Sequence, residues 1–87
     1  MPQFIVLFED DDAYADQCHR HMAAHLAFLE SHAHAIIAAG PLIDPSSAGP
    51  GRGLWVVQVE DADLIEALVT ADPLWPTGLR KFYRILR

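Results

Sequence analysis

The order of its apolar segments restricts this chain to few folds. Four short runs have the β-branched and aromatic character of buried strands, at residues 4–8, 35–43, 54–59 and 79–86. Between them lie two segments with helical spacing, at residues 13–33 and 61–70. The order is therefore β-α-β-β-α-β, which predicts an α+β, ferredoxin-like sandwich. In that fold a four-stranded antiparallel sheet carries both helices on one face.

Local signals predict details within these elements. Asp11 or Asp12 is expected to cap the first helix. Its apolar stripe is predicted to consist of Ala15, Cys18, Met22, Leu26, Leu29 and Ala33. Gly40-Pro41 is expected to interrupt the second strand. Residues 44–53, DPSSAGPGRG, contain three glycines and two prolines and therefore predict a loop.

The length and the apolar content of the chain bear on its assembly. The 87 residues predict a single domain over positions 1–87. A domain of this size buries only about 60–65% of the surface of its unfolded chain. The composition is nevertheless 52% hydrophobic. Because one face of the predicted sheet carries no helix, we expect that face to meet a second copy in a homodimer.

Charge and segment length disfavour several classes of partner. The formal net charge is −6 and no basic face is visible, which argues against nucleic acid. No run approaches the roughly 20 apolar residues of a membrane span, and the N-terminus lacks the basic flank of a signal peptide. The single cysteine, Cys18, excludes an internal disulfide and is more typical of a core residue than of a nucleophile. These features predict a cytoplasmic protein with no membrane partner.

All five histidines lie between residues 19 and 34, in the first predicted helix or directly after it. His21, His25 and His32 project onto one side of it, whereas His19 and His34 project onto the other side, where we expect solvent. His21 and His25 have the i, i+4 spacing at which two imidazoles meet one metal ion. No third ligand is evident, so we predict no metal site. Taken alone, His25 is interpreted as a residue at the boundary of the core.

Four short motifs stand out along the chain: His25-Leu26-x-x-Leu29, Gly40-Pro41, Gly53 at the start of a strand, and Ala71-Asp72-Pro73-Leu74. In order and spacing they resemble the YciI-like (YCII-related) family of the dimeric α+β barrel superfamily. The resemblance covers essentially the whole chain. It implies the same β-α-β-β-α-β fold and a dimer.

The resemblance also implies an active site. In the family a histidine and an aspartate form a proposed pair, matched here by His25 and Asp72, and the cleft includes positions matched by Gly40 and Pro41. Imidazole titrates near neutral pH, and a carboxylate on its second nitrogen fixes its tautomer. Asp72 before a proline is equally typical of a turn or a helix cap. One departure from the family pattern is Met22, at a position where relatives often carry arginine. This difference favours a different or less charged ligand.

Other residues are weaker candidates for binding a substrate: Trp75, Tyr14, Ser46 and Ser47. Trp75 lies close to the Asp72 motif and is preferred to Trp55 as a wall of the cleft. Tyr14 projects near His25 on the predicted helix. The two serines lie on the glycine-rich loop, where turn solvation is their common role.

The function favoured is that of a cofactor-independent small-molecule enzyme, with His25 as general acid and base and Asp72 orienting it. A YciI-like relative that acts as a dehydrochlorinase on a chlorinated hydroquinone implies elimination or proton-transfer chemistry, as in a lyase or an isomerase. The implied ligand is cyclic and phenolic. The alternatives are a non-enzymatic small-molecule-binding or regulatory dimer that uses the same cleft, a metal or haem protein using His21 or His25, and a purely structural dimer.

Overall fold

The fold is built on a four-stranded antiparallel sheet in the computed structural model, which describes residues 2–14, 16–42 and 52–87. The strands are β1 (Gln3–Asp10), β2 (Ile36–Leu42), β3 (Arg52–Gln58) and β4 (Arg80–Leu86), in the spatial order β2-β3-β1-β4. The helices are α1 (Asp16–Arg20), α2 (Met22–Ser31) and α3 (Asp63–Ala71), with single 3₁₀ turns at Asp12–Tyr14 and Trp75–Thr77. The predicted α+β, ferredoxin-like fold class is confirmed.

Residues of β1 alternate between two environments. Phe4, Val6 and Phe8 are buried towards the helices, whereas Ile5 is exposed on the opposite side of the sheet. The buried side joins the helices in one apolar core that includes Phe4, Val6, Phe8, Phe28, Trp55, Val57, Ile65 and Val69. The opposite side, the open face, is lined by Ile5, Leu7, Val56, Phe82 and Leu86. This period-two pattern is what a sheet covered on one side requires.

The first helical segment is bent, although the sequence predicted one continuous helix over residues 13–33. At His21 φ is −112° and ψ is 11°, outside the helical range, and this residue separates α1 from α2. The His21 N–H still donates to the Gln17 carbonyl at 3.0 Å, and the His25 N–H donates to the His21 carbonyl at 2.9 Å. Because these i to i−4 bonds persist across the bend, α1 and α2 are two arms of one bent helix.

The buried side of α2 also differs from the predicted apolar stripe. Leu26, a central member of that stripe, is 55% exposed, whereas Phe28 is buried and packs 6.1 Å from the ring of Trp55. The prediction was wrong because it projected one straight helix. The bend at His21 orients α2 separately, and the bulkiest apolar side chain of α2 faces the sheet. Outside the described residues lie two further members of the stripe, Ala15 and the side chain of Cys18.

Two strand boundaries differ from the prediction, and the predicted cap Asp11 lies at the start of the 3₁₀ turn before the first helix. β2 continues through Gly40-Pro41, because β2 is an edge strand, where proline is tolerated. β3 begins at Arg52, inside the predicted loop at 44–53, whose residues 44–51 lie outside the described part. The Ala13 N–H donates to Asp11 Oδ1 at 3.0 Å, so Asp11 caps the turn before α1.

A bulge shifts the register where β1 ends and β4 begins. Glu9 pairs with Phe82, but Asp10 pairs with Arg80, so Lys81 is the extra residue on β4. A bulge of this kind changes the face towards which the adjacent side chains point. Phe82 therefore lies on the open face, while Arg80, only two residues earlier, is directed towards the helices.

The turn that leads into β4 depends on one left-handed residue. Gly78 has a φ of 84°, a conformation that L-residues rarely adopt. A Cβ atom at Gly78 would lie 3.6 Å from the ring of Tyr14, which is an ordinary contact. The backbone conformation, and not a lack of space, therefore favours glycine at this position.

Replacing Gly78 with alanine is expected to lower the free energy of unfolding by about 1–2 kcal/mol, the cost of the left-handed conformation. Urea denaturation, monitored by circular dichroism, measures this change in the free energy of unfolding. Gly40→Ala is a matched control, because nothing lies within 4 Å of a Cβ atom there. The control should leave stability unchanged or raise it by up to about 1 kcal/mol. Equal stability of the two variants would contradict the role given to Gly78.

Candidate functional site

His25 and Asp72, which are 47 positions apart, are in direct contact. Nδ1 of His25 lies 3.0 Å from Oδ1 and 2.9 Å from Oδ2 of Asp72. The Asp72 side chain is fully buried, and that of His25 is only 13% exposed. The contact joins the middle of α2 to the end of α3 across the helix-covered side of the sheet.

The end of α3 and the proline after it place Asp72. The backbone leaves the helix at Asp72 with φ −64° and ψ 131°, the extended conformation that a following proline favours. Asp72 Oδ1 accepts the N–H of Leu74 at 2.9 Å, which closes a local side-chain turn. The Asp72 side chain therefore both closes the turn and contacts His25, although the sequence presented these two roles as alternatives.

Arg80 is a third member of this cluster. Its Nη1 donates to Asp72 Oδ2 at 2.8 Å, and its side chain is 6% exposed. The centre of its guanidinium lies 4.0 Å from the ring centroid of Phe8 and 5.1 Å from that of Trp55. Sequence reasoning missed Arg80. Strict alternation of side chains along β4 would direct Lys81, and not Arg80, towards the helices. The bulge that directs Arg80 towards the helices instead has no evident signal in the sequence.

Asp72 is held in its ionised form. Burial by itself raises the pKa of a carboxyl group, because the charged form loses its hydration. The hydrogen bonds from His25 and from the Leu74 N–H, together with the positive charge of Arg80, outweigh burial and keep the pKa of Asp72 below its usual value of 3.8. An ionised carboxylate only accepts hydrogen bonds. Nδ1 of His25 therefore carries a hydrogen and donates it to Asp72.

This arrangement leaves the second ring nitrogen of His25 for a ligand. With the hydrogen on Nδ1, the neutral imidazole has its lone pair on Nε2. Within the described ranges, the hydrogen bonds of the His25 ring are those to Asp72. His25 lines a cavity, so Nε2 can act as a base, and the protonated ring as an acid, towards a molecule in it.

The cavity has a volume of about 250 Å³ and lies between α2, β2, β3 and the start of β4. Its apolar wall includes Met22, Leu26, Leu29, Pro41, Leu74 and Leu79. Its polar wall includes Asp10, His25, Arg52 and Arg80. Since an apolar cavity of about 150 Å³ accommodates benzene, this cavity accommodates a single ring with several substituents.

Sequence comparison assigns the chain to a family. The pattern of the YCII-related domain matches residues 2–87. The chain belongs to the YCII-related domain family. The resemblance inferred from the His25, Gly40-Pro41 and Asp72 motifs is thereby confirmed. No curated protein sequence matches this YCII-related chain significantly.

Solved structures share its fold. It is similar to 5-chloro-2-hydroxyhydroquinone dehydrochlorinase (TftG) from Burkholderia phenoliruptrix AC1100 in complex with 2,5-dihydroxybenzoquinone. The TM-score is 0.84 and the identity 22%, over 99% of this chain and 92% of that chain. It is also similar to SnoaB, a cofactor-independent oxygenase from Streptomyces nogalater, with a TM-score of 0.54 and 16% identity over 98% of this chain and 89% of that chain. At these identities the likeness establishes the fold.

The structure brings some of the predicted ligand-binding residues to the cavity. Gly40 and Pro41 line it together with His25, and so does Trp55. Outside the described residues lie two other candidates, Ser46 and Ser47.

Two aromatic candidates lie elsewhere. The ring of Trp75 packs edge-on against Tyr83, with centroids 5.7 Å apart, and Tyr14 packs over Gly78. Neither Trp75 nor Tyr14 lines the cavity beside His25. The Trp75 ring is engaged with Tyr83, and Tyr14 is 44% exposed; neither adjacency in sequence nor projection on a helix reveals these positions.

The remaining histidines are separate from the cavity. His19 and His34 are exposed, as predicted. His32 packs on Phe28, with ring centroids 4.3 Å apart, and its Nδ1 donates to the Phe28 carbonyl at 2.9 Å. Among the residues that the structure describes, no three or more His, Cys, Asp or Glu side chains are grouped to hold a metal ion. In the same ranges no helix is long and apolar enough to span a membrane.

Asp72→Asn is expected to destabilise the fold in a pH-dependent way. At neutral pH the substitution breaks the buried ion pair with Arg80, at a cost of about 3–5 kcal/mol. Because the pKa of Asp72 is lowered from 3.8 on folding, the unfolded chain takes up a proton at this site before the folded chain does as the pH falls. The contribution of the carboxylate is therefore complete above about pH 5 and is lost from about pH 4 downwards, through the lowered pKa.

Urea denaturation of wild type and Asp72→Asn between neutral pH and about pH 2.5 tests this behaviour. The difference in free energy of unfolding should shrink below about pH 4, by at most about 1.4 kcal/mol per pH unit for one proton. Asp63→Asn, which alters an exposed carboxylate on α3, controls for the general loss of a negative charge. A difference between wild type and Asp72→Asn that stays constant over the whole range would contradict the lowered pKa.

Proposed function

We propose that this YCII-related chain is a cofactor-independent small-molecule enzyme that uses His25 as a general acid and base. The observation that carries the proposal is the contact between His25 and the buried carboxylate of Asp72 at the wall of a cavity. One ring nitrogen is fixed by that carboxylate, and the other is available to a bound molecule. Positioned acid–base groups contribute about 10²–10⁴-fold to a reaction rate.

In the proposed reaction Nε2 of His25 takes a proton from the substrate. The Asp72 carboxylate, bonded through Nδ1–H, stabilises the imidazolium that forms. The imidazolium then returns the proton to another atom of the substrate or releases it to water. Proton transfer of this kind supports both elimination and isomerisation, and neither needs a cofactor.

We propose a phenolic ring as the substrate class. The cavity has the volume of one substituted ring, apolar walls, and polar groups at His25 and Arg80. The name of the relative TftG, a 5-chloro-2-hydroxyhydroquinone dehydrochlorinase, and its complex with 2,5-dihydroxybenzoquinone support the same class. The description of SnoaB as a cofactor-independent oxygenase supports chemistry without a cofactor on this fold.

Loss of hydrogen chloride from such a ring is balanced without an external oxidant. One hydroxyl proton moves to the carbon that bears chlorine, and a second hydroxyl then loses its proton. The carbon–chlorine bond breaks, chloride leaves with the bonding electron pair, and the hydroquinone ring becomes a quinone. The net change is the loss of one proton and one chloride ion. His25 is suited to carry each proton, because one group serves as base and then as acid.

His25→Gln is expected to lower the rate of chloride release from 5-chloro-2-hydroxyhydroquinone by about 10²–10⁴-fold. An ion-selective electrode measures chloride, and calorimetry with 2,5-dihydroxybenzoquinone measures binding separately. His19→Gln is the matched control, since that histidine is exposed on α1. Binding of these ring compounds without conversion, at an affinity that His25→Gln leaves unaltered, would overturn the proposed catalysis in favour of a binding module.

We propose further that the active species is a homodimer formed through the open face of the sheet. Ile5, Phe82 and Leu86 on this face are each exposed by 39% or more. Exposed apolar side chains that form a contiguous patch are typical of an interaction surface. Each copy presents the same patch, so a dimer with two-fold symmetry buries the patch of one copy against the patch of the other. The single cysteine suits the reducing cytoplasm, where we place this dimer.

Phe82→Glu is expected to convert the dimer into a monomer, because it introduces a charge at the proposed interface. Size-exclusion chromatography with light scattering at micromolar concentration measures the mass. Leu64→Glu is a matched control: Leu64 is 47% exposed and Phe82 is 45% exposed, but Leu64 lies on α3, away from the open face. A monomeric wild type, or equal loss of the dimer in both variants, would contradict this interface.

A further inference from the structure

Arg80 occupies an unusual position for an arginine near the start of a strand. The bulge at Lys81 directs it under the helices, where its side chain is 6% exposed. Its Nη1 donates to Asp72 Oδ2 at 2.8 Å, and His25 Nδ1 lies 2.9 Å from that same oxygen. Hydrogen bonds between two charged groups are the strongest kind in proteins. Arg80 and His25 therefore act on one carboxylate oxygen from two elements of the fold.

Aromatic side chains restrict the guanidinium of Arg80. It lies 4.0 Å from the ring centroid of Phe8 and 5.1 Å from that of Trp55. Phe8 and Trp55 are both almost fully buried and pack on each other with centroids 4.9 Å apart. Because the cation stacks on two rings that are themselves held in the core, its planar group has little freedom to turn away from Asp72.

The protonation state of Asp72 decides which nitrogen of His25 acts as the base. An ionised carboxylate accepts the hydrogen of Nδ1 and leaves the lone pair on Nε2, towards the cavity. A protonated carboxyl has a hydrogen to donate. That form holds one proton more than the ionised pair, taken up from solvent: the carboxyl hydrogen is donated to Nδ1, the ring hydrogen lies on Nε2, and the lone pair is lost from the cavity. A cation bonded to the carboxylate opposes this uptake of a proton, whereas burial favours it. A carboxylate that is ionised but turned away from Nδ1 also lets the ring hydrogen move to Nε2.

We propose that Arg80 is the positioning residue of the site: its stacked guanidinium holds the Asp72 carboxylate ionised and oriented, and so fixes the tautomer in which His25 Nε2 is the base. This inference rests on the proposed role of His25 as the acid–base group. Arg80 acts on the reaction through Asp72.

Nitrogen-15 NMR of histidine-labelled protein tests the proposal, because it distinguishes the two imidazole tautomers. Spectra are recorded at about pH 8, where an unperturbed imidazole is neutral. Wild type should show the hydrogen on Nδ1 of His25. Arg80→Met, which removes the charge at similar length, should increase the share of the form with the hydrogen on Nε2, because the carboxylate is no longer held against Nδ1. Arg80→Lys, which keeps a charge, should retain the hydrogen on Nδ1. Arg20→Met is the control, because Arg20 is 70% exposed on α1.

A folded Arg80→Met with the same share of the Nδ1–H form of His25 as wild type would overturn the proposal. If Arg80→Met does not fold, Arg80→Lys carries the test. Carbon-13 titration of the Asp72 carboxyl in Arg80→Lys should move to higher pH than in wild type, because an ammonium lacks the planar, stacked geometry of the guanidinium. An unchanged titration would overturn the proposal. Both measurements are made without substrate, so the proposed catalysis can fail while the tautomer behaves as expected, and the two failures are distinguishable.

Discussion

A buried carboxylate is the point on which this structure depends. Asp72 accepts hydrogen bonds from the backbone of Leu74, from Arg80 and from His25, which lie on the turn after α3, on β4 and on α2 respectively. An isolated buried charge is strongly unfavourable, so Asp72 can be ionised only where all of its partners are in place. The site therefore exists only when α2, the end of α3 and the start of β4 are packed together.

The two faces of the sheet differ in what they contact. The side under the helices holds the core and, at one end, the cavity beside His25. The open face has exposed apolar side chains that the single chain leaves uncovered. The proposed dimer buries these side chains. Because successive residues of a strand point to opposite faces, one short strand such as β1 serves both purposes.

The YCII-related fold is a scaffold on which different chemistries occur, since the structures that share it here are described as a dehydrochlorinase and a cofactor-independent oxygenase. Function therefore has to be argued from the site and not from the fold. Here the site combines an imidazole with an oriented tautomer, a permanent cation and apolar walls. That combination is consistent with the proposed proton transfer, because Nδ1–H bonded to Asp72 leaves Nε2 of His25 towards the cavity.

The element order, the fold class and the identities of His25 and Asp72 could be predicted from the sequence alone. Apolar periodicity and short motifs are local patterns, so they can be recognised without the folded structure. The bend at His21, the exposure of Leu26 and the inward direction of Arg80 could not be predicted in this way. Each of these follows from how elements distant in sequence pack together. The bulge at Lys81 is the clearest case: its position depends on the pairing of β1 with β4, which no alternation within β4 alone can specify.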